Sequence, residues 1–133
     1  MAKGQEERIQ YWLSTSERDY QTVEHLIQSG DYSWALFIGH LVLEKLFKAL
    51  YLARLGVDPP PIHDLGRLAE KCGLAIDETM LGKLDVISRF NIAARYPDYR
   101  QEVYRICTKE YTSEVLESIN EVRRWLQALI QQS

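Results

Sequence analysis

The run DYSWALFIGHLVLEKLFKALYLARL, bounded by Gly30 and Gly56, reads as one long helix that is apolar on nearly every side. Asp31 is placed to cap its start, and Gly56 to end it in the left-handed conformation that glycine adopts without strain. A helix apolar all round belongs at the centre of a bundle. This one nevertheless carries His40, Glu44 and Lys48 at successive i, i+4 steps, which stacks them in a single polar stripe. Burying such groups unpaired costs roughly 2–7 kcal/mol for each neutral polar group. The stripe must therefore be matched by other polar groups or line a cleft.

A chain of 133 residues suits one domain, residues 1–133, with a core large enough to fold alone. Its net charge of −3 excludes a surface that binds polyanions as a whole, so any nucleic-acid contact requires a local patch. Cys72 and Cys107 lie far apart without metal-ligand spacing, as expected for reduced, partly buried thiols of a cytoplasmic protein. His40, Glu44 and Lys45 interrupt the most apolar stretch, and MAKGQEERIQ lacks a signal-peptide core. A membrane segment is not expected. No cofactor is implied.

The rest of the chain punctuates into helices. A first helix is expected from about Gln5 to Gln28, with Ile9, Trp12, Leu13, Tyr20, Val23 and Ile27 on one face and Ser16 interrupting it. Pro59, Pro60 and Pro61 exclude helix after Gly56. His63-Asp64-Leu65 opens a short helix that closes near Gly73, and Asp77 caps another that turns Leu81, Leu84 and Ile87 inward and ends near Ala94. Arg95 to Cys107 is ambiguous between loop and irregular helix. A last helix, capped by Thr108 or Thr112, carries Val115, Ile119, Val122, Leu126 and Leu129 on one face. The expected fold is all-α, an up-and-down four-helix bundle with an additional short helix.

Three features are candidates for chemistry. In the stripe, His40 either bonds Glu44 and a group on the first helix, such as Asp19, or faces a ligand or partner in a cleft. A metal site is not expected there, because one His-Glu pair supplies only two ligands and no HExxH follows. His63, after the prolines, either anchors the loop on a backbone carbonyl or does acid–base work, for which imidazole's pKa of about 6.5 is suited. Finally, RFNIAARYPDYRQEVYRICTK sets Arg89, Arg95, Arg100, Arg105 and Lys109 against only Asp98 and Glu102, with Tyr96, Tyr99 and Tyr104 between them. Guanidinium suits phosphate and tyrosine suits base stacking. The plainer reading is a solvated face with its tyrosines tucked onto the bundle.

Asp19, then GDYSWALFIGHLVLEKLFKALYL, then His63-Asp64-Leu65, then Ala94-Arg95-Tyr96-Pro97-Asp98, in this order and spacing, resemble a HEPN domain over nearly the whole chain. The resemblance implies a four- to five-helix bundle, commonly a homodimer. It also implies one of two roles: a metal-independent endoribonuclease, often a toxin of a toxin–antitoxin pair, or a nucleotide-binding partner of a minimal nucleotidyltransferase. The ribonuclease branch uses an Arg-x4–6-His motif across the dimer interface. Arg89, Arg95, Arg100 and Arg105 all lack that histidine, and Arg18 with His25 fits the spacing only in the first helix, away from the family's position. The expectation is therefore a non-catalytic protein that binds a nucleotide or a nucleotidyltransferase. The residues expected to carry this are His40, Glu44, Lys48, His63, Arg95 and Tyr96, to which the basic-aromatic pattern adds Arg100. Arg95 and Lys48 would meet phosphate, Tyr96 a base, and Glu44 would orient His40 or Lys48. The alternatives are a ribonuclease built from scattered residues, such as Arg95 with His63, and a structural dimer that docks on another protein.

Overall fold

A computed structural model describes residues 2–133, with side chains from Gly4 onward. These residues form six helices: α1 (Ala2–Gln28), α2 (Tyr32–Leu55), α3 (Leu65–Lys71), α4 (Glu78–Arg95), α5 (Pro97–Ile106) and α6 (Lys109–Gln132). The chain is all-α, as the hydrophobic periodicity requires, and α2 runs through its middle. Helices α1, α3, α4 and α6 all pack on α2, whose Leu36, Leu43, Leu46, Phe47 and Leu50 are fully buried. Two close approaches seat it. Ser16, the polar break in the apolar face of α1, donates from Oγ to the Val42 carbonyl at 3.0 Å. Three residues earlier on α2, Gly39 lets Ile119 of α6 come so near that an added Cβ would sit 2.7 Å from Ile119 Cδ1.

The helix ends follow local chemistry, with two departures. Gly56 closes α2 at φ 70°, its N–H bonded to the Leu52 carbonyl. Asp64, Asp77 and Thr108 cap α3, α4 and α6 by accepting from Arg67, Met80 and Tyr111 backbone N–H groups. Asp31 is the N-cap residue of α2, but its side chain makes no capping bond: the carboxylate instead accepts from Ser29 Oγ at 2.8 Å, within the turn. Thr112 is not a cap either but a buried residue inside α6. Leu81, expected inside, is 41% exposed: it lies in the first turn of α4, where its side chain touches α3 at Gly66.

The ambiguous segment is a regular helix. Pro97 starts α5 with its fixed φ and missing N–H, Asp98 sits in the first turn and Arg105 in the last, an order that complements the helix dipole. None of its residues is buried. Its tyrosines are not tucked onto the bundle: Tyr96, Tyr99 and Tyr104 are each more than half exposed. Both cysteines are free and buried, and burial pushes each thiol up to about 11, which makes them unreactive at neutral pH. Among the described residues no helix is long and apolar enough to cross a membrane.

Candidate functional site

The polar stripe of α2 closes on the proline loop. Glu44, almost fully buried, stands at its centre. Lys48 donates to Glu44 Oε2 at 2.9 Å from one turn further along the helix. Both carboxylate oxygens lie 3.1 Å from His63 Nδ1. A carboxylate only accepts, so that nitrogen carries the proton. The His63 carbonyl in turn accepts from His40 Nε2 at 2.8 Å. His40 and Glu44 thus grip one loop residue twice, by its backbone and by its ring. A third tie runs from Arg8 of α1 to Asp58, at 3.1 Å. The segment Val57 to His63, with three prolines and no helix, is held against α2 and α1 by these bonds.

Electrostatics favour this arrangement with a charged Glu44 and a neutral His40. Burial alone would raise the Glu44 carboxyl, but the Lys48 hydrogen bond and charge, joined by His63, hold it below its ordinary value. Burial also dominates at His40 and pushes its pKa down, against the pull of the His63 carbonyl and the Glu44 charge. With its proton on Nε2, His40 leaves Nδ1 buried without a hydrogen-bond partner, 3.8 Å from Glu44 Oε1. Asp19 does not reach His40; it pairs with Lys45 at 2.6 Å. The bond expected between the stripe and Asp19 therefore forms one residue away, on the flank of α2 that faces α1.

Two clefts border the network. On the α1 side Lys48 lies 5.6 Å from the Trp12 ring centroid, beside Tyr11, Arg8 and the three prolines. On the α4 side a cleft of about 330 Å³ is lined by His63, Asp64, Asp85, Ser88, Arg89 and Asn91. Ser88 Oγ accepts from the Leu65 N–H at 3.0 Å, which locks the start of α3 to α4. His63 is oriented by its Nδ1–H bond to Glu44 and has a 43% exposed side chain. It therefore presents the opposite edge of its ring, with Nε2, away from the network.

The seven residues expected from the sequence divide four and three. His40, Glu44, Lys48 and His63 form the network, the last as a ring anchored on a carboxylate rather than on a carbonyl. Arg95, Tyr96 and Arg100 lie apart, at the elbow between α4 and α5, and are exposed. Arg100 is already engaged: Nη2 donates to the Ala94 carbonyl at 2.7 Å, and the guanidinium sits 5.5 Å from the Trp34 ring. Trp34 opens α2, about 15 Å of helix rise before Glu44. Arg89, not Arg95, shares the cleft with His63. Sequence reading passed over Asp85, Ser88 and Asn91, although Asp85 and Ser88 stand three residues apart on α4, which puts them on one face. Among the described residues no cluster of three or more His, Cys, Asp or Glu side chains is arranged to hold a metal ion.

Comparison with known proteins bears on the whole bundle. A family model described as the HEPN domain matches residues 9–129. The structure is similar to that of TT1696 from Thermus thermophilus, with a TM-score of 0.76 and 22% identity over 92% of this chain and 98% of that one. It is also similar to ST0689, described as an archaeal HEPN homologue, with a TM-score of 0.71 and 22% identity over 92% and 97% of the two chains. At this identity the likeness concerns the fold. A search of curated proteins finds no match.

Proposed function

The chain belongs to the HEPN-domain family, and on that premise we propose that it binds a nucleotide, alone or together with a partner nucleotidyltransferase, and does not cut RNA. The observation that supports the reading best is the oriented His63 ring beside an open polar cleft that also holds an arginine. Guanidinium and imidazole are suited to phosphate and hydroxyl groups, and the cleft is formed without rearrangement. Against RNA cleavage stands the missing Arg-x4–6-His motif, since acid–base work on a ribose 2′-hydroxyl needs a positioned proton-transfer group. Calorimetric titration with ATP and GTP, beside incubation with single-stranded RNA, tests the reading. Saturable heat with intact RNA is expected. Specific RNA cleavage abolished by His63→Ala would replace it with the ribonuclease alternative.

The reading includes a homodimer. Apolar surface is exposed on α4 and α5, where Ile92, Tyr99 and Ile106 are about half exposed around an apolar groove of about 400 Å³, and on α2, where Trp34 is 44% exposed. Contiguous exposed apolar surface of this kind marks an interaction face, and a two-fold pair is its commonest occupant. Sedimentation equilibrium at micromolar concentration should give twice the chain mass. A strictly monomeric mass would remove the dimer from the reading.

A further inference from the structure

Two surfaces compete to hold the nucleotide: the Arg95–Tyr96–Arg100 elbow and the cleft between His63 and α4. We propose that the cleft is the binding site for a ribonucleoside phosphate, with Arg89 taking the phosphate and Asp85 a ribose hydroxyl. This rests on the nucleotide reading above and assigns it a place and a ligand class.

The arginines differ in what already occupies them. Arg100 is committed to the Ala94 carbonyl and the Trp34 ring. Arg89 is exposed, stands between the cleft and the apolar groove of α4 and α5, and has no carboxylate within 4 Å among the described residues. Its donors are available to a bidentate anion, the geometry for which guanidinium is suited. Across the cleft His63 cannot swing freely, because Glu44 holds its Nδ1 and His40 holds its carbonyl. A preset ring spends less conformational entropy on binding than a free one.

The remaining charges define the ligand. Asp64 and Asp85 stand beside Arg89, so the cleft sets carboxylates that accept from hydroxyl groups next to one anion-binding group. Asp64 Oδ1 is occupied in capping α3, at 2.9 Å from the Arg67 N–H. Asp85 is exposed and accepts only. A partner with one anionic end and hydroxyl donors near it satisfies both signs at once. A volume of about 330 Å³ is at the small end of ligand sites and suits one nucleotide rather than a strand.

Calorimetry on the full chain decides the point. The probes are ATP, GTP, CTP and UTP, the 2′-deoxy form of whichever binds most tightly, and inorganic phosphate. Arg89→Ala should weaken the tightest ribonucleotide about tenfold or more, the loss expected for one charge-assisted contact. The deoxy form should bind several-fold more weakly to the wild type, and Asp85→Ala should erase that difference. Inorganic phosphate should not compete at equal concentration. Both substitutions are on exposed positions, and unchanged circular dichroism would confirm folding. Weakening by Arg95→Ala or Arg100→Ala, with Arg89→Ala unaffected, would overturn the cleft while leaving nucleotide binding in place. Equal binding of the deoxy form, or competition by phosphate, would overturn the ligand class. Absence of heat with all four ribonucleotides would overturn both this inference and the reading beneath it.

Discussion

The middle of α2 and the α4–α5 elbow are both rich in charge and aromatic residues, yet the fold uses them in opposite ways. On α2, Glu44, Lys48 and His40 lie in the interior, and every charge has a partner at hydrogen-bond distance or is suppressed by burial. At the elbow α5 buries nothing, and its tyrosines and Arg105 face solvent. The contrast shows what polar residues do when surrounded by apolar ones: they must find partners, so they fix geometry. Polar residues on a surface carry no such obligation and remain available for contact.

Substitution should separate the two regions, and the largest effect belongs to Glu44. Glu44→Ala leaves the Lys48 ammonium buried without its partner and releases His63, so urea unfolding should show a loss of roughly 3–5 kcal/mol. A loss below about 1 kcal/mol would mean that the stripe behaves as an exposed pair. Gly39→Ala comes next. Its Cβ would lie 2.7 Å from Ile119 Cδ1, forcing that side chain off its rotamer, and a loss of about 1–3 kcal/mol is expected from such overpacking.

Acid should expose the same contrast. His40 has its pKa lowered by burial, so below about pH 6.5 the unfolded chain takes up a proton that the folded chain resists. Stability should therefore fall as pH drops from about 7 toward 5, and His40→Gln should flatten part of that fall. Glu44 is held low by Lys48, so its contribution is present at neutral pH and is lost further into acid, as pH falls through its depressed value. Thermal melts across pH 4–8 on the two proteins, read as a difference, isolate the His40 share. The smallest effect belongs to the elbow. Tyr99→Glu on α5 should change stability by no more than about 0.5 kcal/mol, as for other exposed positions, while shifting sedimentation toward the monomer. A large stability loss there would show that α5 is a structural part of the core.

The α2 region was legible in the sequence because its signal is physical necessity. Polar residues at i, i+4 in an otherwise apolar helix between two glycines have few places to go, and His40, Glu44 and Lys48 are where that pattern puts them. The partner was less visible. Nothing in the spacing says that the fourth member of the network would be His63 rather than Asp19, because that pairing depends on how the proline loop folds back across α2. The elbow was legible only in composition. Pro97 to Ile106 has no buried residue, so its apolar periodicity is carried by exposed residues such as Tyr99 and Ile106, and Pro97 reads equally as helix start or loop. Asp85, Ser88, Arg89 and Asn91 form one wall of a cleft whose other wall comes from the loop before α3, a juxtaposition that no local pattern encodes.

Glu44 and His40 together grip His63 and so hold the proline loop beside the cleft. Long-range nitrogen–proton NMR correlation of the imidazoles at neutral pH reads this directly. The expected spectrum has His40 neutral with its proton on Nε2, and His63 with a proton on Nδ1 that loses its hydrogen-bonded signature in Glu44→Ala. A His40 ring protonated on Nδ1, or a His63 signature indifferent to Glu44→Ala, would contradict it.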